Sequence, residues 1–281
     1  MHWGTALVPL VVCAAVVAAV GAEAPSRPRT VRVAGIVLKW LRGDKEANYQ
    51  RLEPLVREAA RRDAQIVVTT ECFLDGYAIA DKSIPLATYR ALGEPIPGGK
   101  YFRKLAALAD ELNIHLVAGM LEADGDARCN TAALIGPDGK LLGKYRKQFL
   151  EHEAVRNTPG DKSPAFATPH GRVGILICAD RRRPDLVRRF IANGADFLLC
   201  VSGGMFGSKK NDPILQARSR ENRVHIVFVH PAEFLVTGPN GDILSRTILG
   251  DRLLIEPDQV GGKHDLNRVF LFDLPLPTGV R

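Results

Sequence analysis

The residue pattern predicts an α/β fold of two mixed sheets, related by an internal pseudo-twofold and each covered by helices on its outer face. Three observations carry this. Apolar, β-branched runs of strand length recur, among them residues 30–38 (TVRVAGIVL) and 172–178 (RVGILIC). Their unbroken hydrophobicity fits strands buried on both faces. Segments with helical spacing of apolar residues lie between these runs. Finally, the order of segments nearly repeats. RVAGIVL at 32–38 returns as RVGILIC at 172–178, and AQIVVTTE at 64–71 as ADFLLCVS at 195–202. IHLVAG at 114–119 returns as VHIVFV at 224–229, and GPDG at 136–139 as GPNG at 238–241, with shorter connections in the second half.

The elements follow in order. Residues 30–38 form the first strand, and 45–62 a helix with Leu52, Leu55, Val56 and Ala59 on one face. Residues 65–70 (QIVVTT) are a second buried strand. Residues 101–113 are helical, with Leu105, Leu108 and Leu112 aligned, and 115–119 are a strand. Residues 130–135 and 140–146 flank Gly136-Pro137-Asp138-Gly139, a hairpin turn signal. Residues 172–178 are a strand, and 184–193 a helix opening on Pro184, where a missing N–H costs nothing. A strand at 197–201, a helix at 214–222 and a strand at 224–230 precede a second hairpin signal at 238–241, and 269–274 closes the chain. No Gly/Ser-rich linker interrupts this series, so residues 30–281 read as one domain.

Composition narrows the function classes. The chain has 281 residues, 46% apolar and 25% charged, which is ordinary for a globular protein and too apolar for a disordered one. That length buries a large core without disulfide or metal staples. Lys and Arg number 38 against 31 Asp and Glu, a net +7. The excess permits an acidic partner, but no aromatic and basic interleaving points to nucleic acid, and no such partner is expected. Residues 6–20 are apolar and uncharged, short of the roughly 20 that span a bilayer. Small residues at Val20-Gly21-Ala22 then suggest a signal peptide, residues 1–22, with a linker at 23–29. Met1-His2-Trp3 carries no Lys or Arg, so only the α-amino group supplies positive charge there. The expectation is export, periplasmic or secreted, with no stable membrane insertion after cleavage. Cleavage removes Cys13 and leaves Cys72, Cys129, Cys178 and Cys200. No pair has CxxC spacing, so neither a metal site nor a redox motif is indicated, and disulfide pairing stays open.

Three reactive residues fall at strand ends, where ligands gather in open α/β sheets. Glu71 follows QIVVTT, Lys147 follows Lys144-Tyr145-Arg146, and Cys178 ends RVGILIC ahead of a helix. A thiol at a strand-to-helix turn is held in place, and the next N–H can face a developing oxyanion. Each residue alone has a plainer reading: a small core thiol (as for Cys200), a capping carboxylate, a solvated edge lysine. Their combination and order make the case.

At these positions the chain resembles the nitrilase superfamily of carbon–nitrogen hydrolases. Glu71-Cys72-Phe73-Leu74-Asp75-Gly76-Tyr77 is similar to its glutamate motif, and Lys144-Tyr145-Arg146-Lys147-Gln148-Phe149-Leu150 to its lysine motif. Cys178-Ala179-Asp180 followed by Arg181-Arg182-Arg183-Pro184-Asp185 resembles its nucleophile motif: Cys, any residue, Asp, then Arg, Pro and an acid. Glu153, ahead of Thr158-Pro159-Gly160, is the nearest match to a second glutamate before Pro-Gly, and Ala217-Arg218-Ser219-Arg220-Glu221-Asn222 resembles a downstream helix motif. The likeness runs from about residue 31 to 274. Ala179 stands where an aromatic is frequent, Arg183 where Phe is frequent and Thr70 where Pro is frequent. Those departures suggest an altered substrate pocket.

The resemblance implies a four-layer α-β-β-α sandwich and a Cys178–Glu71–Lys147 triad needing no metal or organic cofactor. Glu71 would be the general base, and Lys147 with the Ala179 N–H the oxyanion site. Glu153 would hold Lys147 in register. The substrate would be a small amide or N-carbamoyl amine, with a nitrile as the alternative. A catalytically silent binding or scaffold protein is the rival from another class, and homodimers formed by stacking sandwiches, or higher homo-oligomers, are expected. Tyr77 is a candidate pocket residue, its plainer reading a core aromatic. Asp180 reads as structural. Arg181, Arg182, Arg183, Arg188 and Arg189 read as a solvated helix face or subunit interface rather than an attractor of anionic substrate. His115 and His225, at matching places in the two halves, read as core histidines.

Overall fold

Two six-stranded mixed sheets pack face to face in the computed structural model, which describes residues 1–3, 29–204, 207–249 and 267–276. The expected signal peptide and linker lie outside the described residues except for 1–3 and 29. The first sheet comprises β1 (Thr30–Val37), β2 (Ile66–Val68), β3 (His115–Asp124), β4 (Ala127–Ile135), β5 (Leu141–Arg146) and, from the chain end, β12 (Arg268–Pro275). The second comprises β6 (Ala165–Thr168), β7 (Gly171–Ile177), β8 (Phe197–Val201), β9 (His225–His230), β10 (Glu233–Thr237) and β11 (Ile243–Ile248). Helices α1 (Lys45–Arg61), α2 (Leu86–Ala91) and α3 (Lys100–Leu112) precede β3 in the chain; α4 (Pro184–Ala192) and α5 (Ser208–Asn222) flank β8.

Strand order is β12-β1-β2-β3-β4-β5 in one sheet and β11-β10-β9-β8-β7-β6 in the other. In each, an antiparallel pair is followed by two parallel and two antiparallel pairs, so β12-β1-β2-β3-β4-β5 corresponds to β6-β7-β8-β9-β10-β11. The repeat read in the sequence is therefore a repeat of topology.

Period-two alternation sorts the first sheet's side chains. Val33, Val37, Ile66, Val68, Val117 and Leu134 face inward and join the second sheet's core. Ala34, Ile36, Val67, Leu116 and Ala133 face outward, against Leu52 and Val56 of α1 and Leu105 of α3. On the other outer face, Leu186, Val187 and Phe190 of α4 and Leu215 of α5 cover the second sheet. Helix α1 starts where the Asp44 side chain accepts from the Ala47 N–H at 2.9 Å. Helix α5 begins at Ser208 rather than 214, one turn and a half ahead of the expectation, with Pro213 inside it. A proline that near the helix start removes only one backbone bond, so the apolar spacing after it understated the helix.

Candidate active site

The loop after β2, the end of β5 and the end of β7 meet at one rim of the sandwich. Glu71 lies beyond β2 and is fully buried. Its N–H donates to the Ser202 carbonyl at 3.3 Å, so the two matching strand ends of the pseudo-twofold touch. Lys147 follows β5, its N–H donating to the Asn130 carbonyl at 2.8 Å and its own carbonyl accepting from Gly160 at 2.9 Å. These bonds fix the backbone from which the side chain extends.

The buried Lys147 ammonium donates to Glu71 Oε1 at 2.8 Å and to Glu153 Oε1. Glu153 sits in a short 3-10 turn, Glu151–Val155, also fully buried. Burial disfavours the lysine's charge, but Coulombic attraction to Glu71 and Glu153 outweighs it and raises Lys147 well above the usual lysine range. The ammonium is thus a fixed cation between two carboxylates. Asn130 of β4 completes the group: its Nδ2 lies 2.7 Å from Glu71 Oε1 and 3.0 Å from Glu153 Oε2. Asn157 Nδ2 donates to Glu153 Oε2 at 3.1 Å, and the Tyr89 hydroxyl donates to Asn157 Oδ1 at 2.5 Å. Glu71 Oε2 is buried and accepts no hydrogen bond among the described residues, leaving one lone-pair face for chemistry.

Cys178 directly follows β7 with φ of +45°, a left-handed conformation that costs a non-glycine residue of order 1–3 kcal/mol. The buried Asp180 holds the turn. Its Oδ2 accepts from the Tyr145 hydroxyl at 2.8 Å and the Ile177 N–H at 3.2 Å. Its Oδ1 accepts from the Phe149 N–H at 2.8 Å and the Gln148 N–H at 3.3 Å. Asp180 therefore ties the Cys178 turn to the backbone just after Lys147, across the two sheets. Burial pushes its carboxyl up to about 6 against the pull of Lys147 and these donors.

Two glycines after β8 allow the close approach. A Cβ on Gly203 would stand 3.2 Å from Glu71 Oε2, and one on Gly204 would stand 3.1 Å from Cys178 Sγ. Carboxylate and thiol thus border the same dipeptide. His230 of β9 holds that dipeptide: its Nδ1 accepts from the Ala232 N–H at 3.2 Å, which places the proton on Nε2, 2.6 Å from the Gly204 carbonyl. Burial lowers His230 to about 4 and keeps it neutral.

A cavity of about 310 Å³ opens onto this cluster, with Lys147, Cys178, Ala179, Tyr77, Arg181 and Gly204 in its wall. Tyr77 is both pocket wall and core aromatic: it is buried, beside Trp40 with ring centroids 5.8 Å apart. Glu151 and His152 line the outer part.

The sequence-predicted residues Glu71, Lys147 and Glu153 form one hydrogen-bonded set, and Cys178 and Ala179 line the same cavity as Lys147. Sequence reasoning missed Asn130, Asn157, Gly203, Gly204 and His230. Asn130 left a trace, an amide with Thr131 at the head of the apolar run 132–135. The arginine cluster divides: Arg182, Arg183, Arg188 and Arg189 are exposed, but Arg181 is buried behind the thiol, which corrects its assignment to a solvated face. Cys72, Cys129, Cys178 and Cys200 are all unpaired thiols. His115 of β3 is buried and His225 of β9 half-buried, and burial lowers both. Among the described residues no group of three or more His, Cys, Asp or Glu is placed to hold a metal ion, and no helix is long and apolar enough to cross a membrane.

A buried thiol facing a lysine clamped by two carboxylates, on a doubled α/β sandwich, defines a class of thiol-dependent hydrolases. The carbon-nitrogen hydrolase family matches residues 18–256, and the chain belongs to it. It is 34% identical over 205 residues to omega-amidase NIT2 of Xenopus tropicalis, covering 67% of this chain and 70% of the relative. It is likewise 34% identical over 203 residues to omega-amidase NIT2 of Homo sapiens, with the same coverage. Among solved structures, Saccharomyces cerevisiae Nit3, a member of branch 10 of the nitrilase superfamily, superposes with a TM-score of 0.73 at 26% identity, covering 88% of this chain and 90% of that one.

Proposed function

We propose that this protein hydrolyses the C–N bond of a small amide through a thioester on Cys178. The observation that carries it is the placement of Cys178 and Lys147 in one cavity wall, with Lys147 locked between Glu71 and Glu153. The omega-amidase relatives support an amide rather than a nitrile as substrate.

Each step uses a group already in position. Glu71 takes the thiol proton on Oε2, the oxygen without a hydrogen bond. The sulfur attacks the amide carbon. The resulting oxyanion is met by the Lys147 ammonium and the Ala179 N–H, and losing one such donor commonly costs about 10²–10³ in rate. Glu71 returns the proton to the departing nitrogen, the C–N bond breaks, and ammonia or an amine leaves. Water then gives a proton to Glu71 and its oxygen attacks the thioester. The sulfur departs and recovers its proton, releasing a carboxylic acid. Glu153 and Asn130 keep Lys147 and Glu71 in register throughout.

The test is ammonia release from a panel of amides, N-carbamoyl amines and nitriles, compared with Cys178→Ala. Turnover abolished by the substitution is expected, and turnover that survives it defeats the mechanism. A panel without any turnover, with Cys178 unreactive to iodoacetamide, would favour the scaffold rival.

Two further readings belong to this proposal. Residues 1–22 direct export, supported by the uncharged apolar run at 6–20; N-terminal sequencing of protein from the producing cell checks it, and an intact Met1 on protein recovered from the cytoplasm refutes it. Two copies pair in solution, supported by the resemblance; light scattering at the mass of one chain refutes that.

A further inference from the structure

Arg181 is the buried group that the mechanism above leaves unused. It lies in the 3-10 turn Cys178–Arg182 and is 1% exposed. Its Nη1 is 3.5 Å from Cys178 Sγ, and its Nη2 donates to Asn211 Oδ1 of α5 at 2.5 Å. The guanidinium carbon sits 5.4 Å from the Phe228 ring centroid, and Nε has no hydrogen-bond partner. No carboxylate lies in salt-bridge range of it among the described residues. A desolvated guanidinium without a carboxylate needs another counter-charge. The atom it touches is the sulfur.

The ion pairing around the cavity leads the same way. Lys147 is engaged by Glu71 and Glu153, whereas Arg181 lies against the Cys178 sulfur. Moving the thiol proton to Glu71 places the negative charge beside Arg181, while Lys147 remains bonded to the neutralised glutamate. The other titratable groups around the thiol and the guanidinium are Tyr77, Asp180 and Cys200 of β8, with Glu233 of β10 beyond Asn211 and His230 of β9, kept neutral by burial, beyond Gly204. Among these, Arg181 is the cation whose hydrogen bond ends on the sulfur.

We propose that Arg181 is a second catalytic cation, whose guanidinium holds the Cys178 sulfur as a thiolate before substrate arrives, with Asn211 as its positioning residue. The inference rests on Cys178 being the nucleophile. It is tested on the thiol rather than on turnover, so its failure is separable from failure of the hydrolase reading. In the step itself the S–H bond breaks, Glu71 Oε2 gains the proton, and the sulfur keeps the electron pair opposite the guanidinium.

The experiment measures the rate of Cys178 alkylation by iodoacetamide against pH, followed by peptide mass mapping, for the wild type, Arg181→Lys and Arg181→Gln. An opposite charge at this range typically moves an acid by about 1–3 units. Arg181→Gln is therefore expected to displace the midpoint upward by about that much and to slow alkylation at neutral pH roughly tenfold or more. Arg181→Lys should fall between it and the wild type. A folded Arg181→Gln protein with the wild-type profile overturns the proposal and leaves Arg181 to packing or substrate binding. Should Arg181→Gln not fold, Asn211→Ala, which frees the guanidinium from its anchor, decides. Slower alkylation of Cys178 at neutral pH than in the wild type is expected, and an unchanged profile overturns the proposal.

Discussion

Replacing Lys147 with Met tests whether the buried trio is an electrostatic unit. Lys147, Glu71 and Glu153 are each at most 2% exposed, and the ammonium bonds both carboxylates. Methionine fills much of the same volume but leaves two carboxylates with only the Asn130 and Asn157 amides as side-chain donors. Removing one partner of a buried ion pair typically costs about 3–5 kcal/mol, a fifth or more of the roughly 5–15 kcal/mol that stabilises a domain. In the variant the two glutamates repel, so one takes up a proton and its folded-state value rises above the unfolded value of about 4.3. The native state then binds more protons than the unfolded chain between those two values, so stability should rise as pH falls through that window. Adding Glu153→Gln to Lys147→Met removes the repulsion and should restore more than half of the loss. Urea unfolding followed by circular dichroism, at neutral and mildly acidic pH, reads all three proteins. Lys147→Met within about 1 kcal/mol of wild type, or a double variant less stable than the single one, would refute the account.

Further outcomes follow from the same contacts. In the wild type, Lys147 is raised above its unfolded value of about 10.4, so its contribution is fully present below that pH and is lost only as alkali titrates the folded lysine; a midpoint falling well before that pH would contradict it. His230 is lowered to about 4. Below about 6.5 the unfolded chain therefore binds a proton that the native state refuses, removing up to about 3 kcal/mol as pH falls toward 4. Asp75 and Asp180, both raised to about 6 by burial, act in the opposite direction, so the difference between wild type and His230→Gln isolates the histidine; parallel acid limbs would reject it. Asp180→Asn keeps one acceptor oxygen but points an amide at two of the four donors. At about 1–3 kcal/mol for each unsatisfied group, the urea midpoint should drop clearly and hydrolysis with it; an unchanged midpoint would show that the turn is held otherwise. Gly204→Ala sets a methyl 3.1 Å from Sγ, so the sulfur or the loop must give by a few tenths of an ångström; a displacement of about 1 Å at a reacting atom costs on the order of 10² in rate, and this smaller one should cost severalfold. Steady-state kinetics with thermal melting should therefore show reduced turnover in a folded protein, and full activity would mean that the sulfur attacks from another side.

The sheets and outer helices were legible because they depend on local periodicity. Runs such as RVGILIC have no alternative to a buried strand, and Leu105 and Leu108 share a face by spacing alone. Strand β6 (AFAT) was not legible, being short and part-exposed, and the first turn of α5 was hidden by Pro213. At the site, Glu71, Lys147 and Cys178 were found because each is reactive and closely follows a strand. Asn130, His230 and the two glycines act through neighbours distant in sequence, which no spacing rule reaches. Arg181 was misjudged for a related reason. Four arginines close to it in the chain are exposed, and only the tight turn set by the left-handed Cys178 swings this one inward.

The division of the reacting groups has a practical side. Base and cation come from one sheet and the nucleophile from the other, joined by Asp180, so catalysis doubles as a gauge of how the two halves are seated. A sideways slip of an ångström would leave every ladder intact and silence the enzyme. Warming or mild urea should then extinguish turnover before any spectroscopic sign of melting, and dilution back to native conditions should bring it back at once.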